Sequence, residues 1–114
     1  MSLDEYFATG PPHERPVFDV VNAHLETLGP LHVEPLSVGI YFKRARTFAT
    51  LQPMRRWVAL GFLLPRVETS PRIARKVVPT GSAHWHVVNL AAAGEFDDTV
   101  RGWLTESYLA APPA

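Results

Sequence analysis

The sequence contains no cysteine, and this absence removes several kinds of chemistry at once. Without a thiol there is no disulfide framework, no cysteine nucleophile and no thiolate ligand for a metal. Long apolar runs are also missing, since the longest mostly apolar stretch, residues 57–64, is far too short to span a bilayer. The first residues, Met1 to Glu5, are acidic and lack the basic and apolar pattern of a leader. We therefore expect a soluble, cytoplasmic protein that does not enter a membrane.

The familiar catalytic signatures are absent as well. The sequence has no GxSxG elbow, no phosphate-binding P-loop, no GxGxxG turn and no HExxH metal motif. Asp97 and Asp98 are adjacent at a predicted helix start, where carboxylates favour the helix N-terminus rather than acting as a catalytic pair. The sequence thus predicts no catalytic residue, no cofactor and no metal site, and it favours a binding domain over an enzyme.

What is present has the composition of one folded domain. The chain has 114 residues, of which 46% are hydrophobic and 19% charged, values typical of a globular domain that buries one core. No repeat, low-complexity tract or linker divides it. Residues 1–114 are therefore predicted to form a single domain.

Hydrophobic periodicity separates helical ends from a middle rich in strands. Apolar side chains recur at Val17, Val21, Leu25 and Leu28, the spacing of one helix face. From residue 38 to residue 43 apolar and other residues alternate, as in a strand with one buried face. Helices are predicted at residues 3–8, 12–28 and 97–111, and strands at 31–33, 38–43, 47–52, 57–64, 75–78 and 84–90.

The order of these elements predicts the fold class. Short connections between the middle strands indicate antiparallel hairpins. Residues 57–64 are apolar on both faces, which predicts a central strand covered on both sides. The prediction is an α+β fold, with an antiparallel sheet of about four to six strands in a meander, packed against an N-terminal and a C-terminal helix.

Charge is divided unevenly although the net charge is zero. Residues 43–76 contain nine basic residues and one acid, a charge of +8, whereas the rest of the chain carries −8. Such a basic segment can meet an anionic partner. Tyr41, Phe48 and Trp57 lie among the cations, as in proteins that bind nucleic acid through phosphates and stacked bases. The predicted ligand-binding cations are Lys43, Arg44, Arg46, Arg55, Arg56 and Arg72.

A second hypothesis rests on the triplet His84-Trp85-His86. On a strand, His84 and His86 project from the same face, where they could contact a small ligand or serve an enzymatic site together with Arg44 or Arg46. They are included among the predicted ligand-binding residues. A metal would need a third ligand that the sequence does not indicate. A third hypothesis is that the chain is a homodimer or a protein-interaction module.

The sequence also resembles a known family along nearly its whole length. The residues that carry the resemblance are 3–7, 21–30, 33–35, 40–43, 46–49, 60–66, 70–73, 86–90 and 100–108. They are similar to the DUF5655 family of uncharacterised bacterial domains. The closing pattern, His84-Trp85 in a strand and a helix ending in Glu106-Ser107-Tyr108, is also similar to the MmcQ/YjbR group. That second likeness implies a small α+β domain with a curved antiparallel sheet, for which DNA binding has been suggested, but it supplies no site residues.

Overall fold

Three helices lie on one face of a six-stranded antiparallel sheet in the computed structural model, which describes residues 1–114. The helices are α1 (Leu3–Thr9), α2 (Glu14–Glu26) and α3 (Asp98–Ala110). The strands are β1 (His32–Leu36), β2 (Gly39–Lys43), β3 (Thr47–Pro53), β4 (Val58–Leu64), β5 (Val78–Thr80) and β6 (Ala83–Leu90). No helix has the length and hydropathy needed to cross a membrane.

Local capping fixes where the helices begin. The Ser2 hydroxyl accepts the Glu5 backbone N–H at 3.1 Å while the Glu5 carboxylate accepts the Ser2 N–H, which is the predicted capping box of α1. The Asp97 carboxylate likewise accepts the Val100 N–H and starts α3. Helix α2 begins two residues later than predicted, because Pro11 and its neighbours form a turn closed by the Glu14 N–H.

The first four strands form the predicted meander, and the last two depart from it. The order across the sheet is β1-β2-β3-β4-β6-β5, so β6 lies between β4 and β5. The three-residue strand β5 starts three residues after the predicted start and takes the edge. A turn at Gly81, whose φ of 60° suits glycine, then leads into β6.

The core fills the space between the helices and one face of the sheet. Strand β4 supplies Val58, Leu60, Phe62 and Leu64 to this face, all fully buried. A connection of residues 65–77 follows β4 and passes on the same side, where Arg66 binds α3 through Glu106. The other face of the sheet carries no helix.

The predicted α+β class, the antiparallel sheet and the packing of terminal helices on it are confirmed. Strand β4 is central and buried on both faces, also as predicted. Its cover on the second face, however, is not a layer of structure but the side chain of Trp85 over Gly61. The apolar residues on both faces of β4 predict that both faces are buried, but they do not indicate which groups cover them.

Candidate functional site

Four of the nine basic residues in segment 43–76 are engaged inside the domain. Lys43 pairs with Glu34 on the neighbouring strand. Arg66 binds the carboxylates of both Glu68 and Glu106, each at 2.9 Å. These partners come from outside the basic segment or from its one acid, so folding neutralises part of the charge division in the sequence.

Arg72, another predicted ligand-binding residue, secures the start of α3. It donates to the Asp97 carboxylate at 2.9 Å and to the Glu95 carbonyl at 3.1 Å. The pKa of Asp97 is lowered first by the Val100 N–H that it accepts and then by Arg72. Arg72 is therefore part of a helix cap, and both of its terminal nitrogens are hydrogen-bonded within the domain.

Arg44 closes the other end of α3. Its guanidinium donates to the carbonyls of Tyr108 and Ala111, at 3.0 and 3.1 Å, and lies 4.2 Å from the centre of the Tyr108 ring. A cation here compensates the negative end of the helix dipole and gains a cation–π contact. These contacts fasten α3 to the β2–β3 turn, and Arg44 is therefore not part of the proposed site.

His86 is fully buried and uses both ring nitrogens. The Nδ1–H donates to the His84 carbonyl, and Nε2 accepts the Glu68 backbone N–H, each at 2.9 Å. This pattern requires the neutral imidazole. Burial lowers the pKa of His86, which agrees with that state. The half-buried His84 shares its sheet face, as the strand period predicts, but makes no side-chain hydrogen bond. No group of three or more potential metal ligands lies together in the structure.

Five basic residues of the segment remain exposed and make no ion pair, and they lie at three separate places. Arg46 lies at the β2–β3 end of the sheet. Arg55 and Arg56 lie at the opposite end, in the tight turn before β4 that also exposes Trp57. Arg75 and Lys76 precede the edge strand β5. The basic residues therefore do not form one face.

A flat aromatic side chain occupies the sheet face that has no helix. Trp85 lies directly over Gly61, such that a Cβ atom added at Gly61 would clash with Cζ2 of the indole and lie 2.7 Å from Cε2. The indole therefore rests against the strand backbone, a close approach that only glycine allows. Thr50 and Tyr41 continue the same cross-strand row, and Tyr41 and Trp85 are both half-buried.

The unpaired cations nearest in the chain to this indole are Arg75 and Lys76. Val78 pairs with Trp85, while the Ala74 N–H binds the Val87 carbonyl at 2.7 Å. The two cations between these fixed points therefore lie along the edge of the sheet, in the segment that leads into the strand paired with Trp85.

A cleft of about 400 Å³ opens at the end of the sheet near Arg46. Its walls are the start of β3, the end of β4, the β5–β6 turn and the end of α3. Arg46 is the one charged residue among those that line it. Neither predicted histidine lines the cleft, so the structure does not bring His84 and His86 together with Arg46 in a pocket.

Comparison with known proteins identifies the family of the chain. The sequence profile of a family described as a domain of unknown function, DUF5655, matches residues 3–111. The chain belongs to the DUF5655 family. Searches of curated proteins and of solved structures find no match. The resemblance to DUF5655 is thus confirmed, whereas the likeness to the MmcQ/YjbR group stays a prediction.

Membership in DUF5655 assigns no activity, so the site must be argued from its geometry. The histidines of the triplet are among the predicted ligand-binding residues, whereas Trp85 between them is not. The signal for Trp85 was present, since alternation along β6 turns it away from His84 and His86 and toward the opposite face. Gly61, its partner, could not be paired with it before the register of β4 and β6 was known.

Proposed function

We propose that this domain is a non-enzymatic binding domain whose anionic partner is single-stranded nucleic acid. The observation that carries the proposal is the Trp85 indole on the bare face of the sheet, with the unpaired cations Arg75 and Lys76 in the segment that leads into its neighbouring strand β5. Proteins that bind single strands combine aromatic rings, on which bases stack, with cations that contact the phosphates. Both elements are present here, the ring on β6 and the cations in the connection that precedes β5.

The position of Trp85 suits stacking for a physical reason. Because one face of the indole is held against Gly61, the ring is fixed in orientation before any ligand arrives. A fixed aromatic side chain loses little conformational entropy when a base stacks on it. The neighbouring Thr50 hydroxyl and the Tyr41 ring extend the same row of the face, so a second base has a place to lie.

The turn Arg55-Arg56-Trp57 supports an extension of this path toward the other end of the sheet. Its two guanidinium groups are exposed and unpaired, and Trp57 is 38% exposed. Arg46, exposed at the β2–β3 end, is the remaining unpaired cation of the basic segment. The other predicted cations, Lys43, Arg44 and Arg72, make the internal contacts described above and are not part of the proposed interface.

The test is a titration of the full chain with fluorescein-labelled single-stranded DNA and RNA oligonucleotides at several salt concentrations. Trp85→Ala should weaken binding about tenfold, because stacking of one base contributes on the order of 1–3 kcal/mol. Arg75→Gln and Lys76→Gln should each reduce the slope of log K against log salt by about 0.7. Light scattering on the same samples measures whether the domain binds as a monomer or as the homodimer that the sequence left open.

Arg15→Gln is the control, because Arg15 lies on α2, on the opposite side of the sheet, where it pairs with Asp19. It should leave both affinity and salt slope unchanged. Absence of salt-sensitive binding to either oligonucleotide would refute the proposed function. Binding that is lost in Arg55→Gln and Arg56→Gln but retained in Trp85→Ala would refute the stacking site and move the interface to the β3–β4 turn.

A further inference from the structure

We propose that the cleft between the diverging ends of β3 and β4 is a second binding site, for a small molecule that joins one anionic group to an apolar body. It uses none of the residues Trp85, Arg75 and Lys76. The inference is therefore independent of the nucleic-acid interface and can fail or succeed without it.

The cleft exists because the two strands separate before they end. Pairing between β3 and β4 stops at Ala49 and Phe62, whereas β4 continues to pair with β6 as far as Leu64. At the point of separation, the Phe48 carbonyl accepts the Ser107 hydroxyl of α3 at 3.3 Å. The carbonyl therefore has a hydrogen-bond partner from α3 at the point where β3 and β4 separate.

Arg46 supplies the contact for the anionic group. It is exposed, forms no ion pair and is the one charged residue in the lining. The end of α3 also borders the cleft, and its free carbonyls would by themselves repel an anion. Arg44 donates to two of them, at Tyr108 and Ala111, and so compensates that negative charge. With that repulsion compensated, the positive charge of Arg46 attracts an anion to the cleft.

The remaining walls suit a ligand with an apolar body. Leu63, Leu64 and Pro65 form one wall and Ala110 with Pro112 forms another, while hydroxyls from Thr47, Thr80, Ser82 and Ser107 lie among them. The volume of about 400 Å³ lies within the range of small-molecule sites, which combine apolar walls with a few polar groups. A carboxylate or a phosphate monoester on a short alkyl chain has this chemistry.

The experiment uses octanoate and octyl phosphate as probes, with the uncharged octanamide for comparison. Each is titrated into the ¹⁵N-labelled full chain while amide shifts are followed by NMR. Saturable shifts are expected at the Gly81, Ser82 and Thr47 amides with at least one anionic probe, and weaker shifts with octanamide. The tighter of the two anions then identifies the headgroup as carboxylate or phosphate.

Two variants separate the charge from the shape of the cleft. Arg46→Gln should weaken binding of the anion about tenfold or more, since it removes a charge-assisted contact. Ala110→Trp places a bulky ring at an exposed position in the wall and should block all three probes. Arg15→Gln, which removes a cation on α2 outside the lining of the cleft, should bind as the wild type does.

Several results would overturn the inference. One is the absence of saturable shifts from either anion below about 10 mM, the range of binding too weak to be specific. Another is an Arg46→Gln variant that binds the anion as tightly as the wild type. A third is that the shifts centre on Trp85 or Trp57, which would assign the probes to the bare face or to the β3–β4 turn. Well-dispersed spectra of each variant establish that it is folded.

Discussion

Replacement of Gly61 by alanine tests the arrangement on which the proposed interface depends. In the structure a Cβ at this position would clash with Cζ2 of Trp85 and lie 2.7 Å from Cε2, so the indole must move. Overfilling a packed position of this kind costs about 1–3 kcal/mol in the free energy of unfolding. We therefore expect Gly61→Ala to destabilise the domain by that amount and to weaken oligonucleotide binding, because the displaced ring no longer lies flat.

The same substitution should behave differently once the indole is gone. In a Trp85→Ala background the nearest atom to the new Cβ is the Thr50 hydroxyl at 3.1 Å, which a small side-chain shift can accommodate. Alanine then gains the advantage that it has over glycine inside a strand, about 0.5–1 kcal/mol. Gly61→Ala should accordingly be neutral or stabilising in this background.

Urea denaturation followed by circular dichroism measures all four proteins of this double-mutant cycle. A coupling energy of at least about 1 kcal/mol between the two positions is expected, since they are in direct contact. Equal effects of Gly61→Ala in both backgrounds would refute the reasoning, because they would mean that the indole does not rest on Gly61. In that case the ring would not be fixed in advance for stacking either.

Three further predictions concern the groups that hold the fold. Because burial lowers the pKa of His86, its protonation favours the unfolded chain, so the free energy of unfolding should fall as the pH drops below about 6.5. His86→Asn should make the free energy of unfolding less dependent on pH, as measured by urea titrations at several pH values. Arg44→Ala should lower the free energy of unfolding by about 1–3 kcal/mol through the loss of two hydrogen bonds at the end of α3, and calorimetry should find Arg44→Lys intermediate. The carboxyl group of Glu14 is fully buried and binds only the Tyr6 hydroxyl, and its pKa is raised by that burial. The stability that Glu14 contributes is therefore present below its unfolded pKa of about 4.3 and is lost as the pH rises through its folded pKa. Glu14→Gln should therefore stabilise the domain more at pH 8 than at pH 4, and an equal effect at both values would show that Glu14 is not neutral when buried.

Most of the fold could be predicted because local signals agree with it. The capping box at Ser2 and Glu5 and the alternation along β2 each act over a few residues, and both are present as predicted. The position of β5 was harder, since Pro79 and Gly81 favour a loop while pairing with β6 makes residues 78–80 a strand. Such a short edge strand is fixed by its partner rather than by its own sequence.

The candidate site could be predicted only in part, since a charge in the sequence does not reveal its partner in space. Arg55 and Arg56 are exposed and unpaired, as a ligand-binding role requires, but Arg72 meets Asp97 from a segment 25 residues away. Likewise, the histidine triplet indicates two side chains on one face without indicating that the face is the core. That information depends on which side of the sheet the helices cover.

The basic and acidic parts of the chain therefore serve in part to hold the fold together, and they do not form a single binding surface. Glu68, the one acid inside the basic segment, accepts hydrogen bonds from Arg66 and from the Trp103 indole, and its own N–H binds His86. These contacts anchor the connection between β4 and β5 to α3 and to β6. Because Arg75 and Lys76 lie near the end of that connection, its anchoring also restricts where these two unpaired cations lie. The paired charges thus position part of the basic segment, and the five unpaired cations are those that an anionic partner can meet.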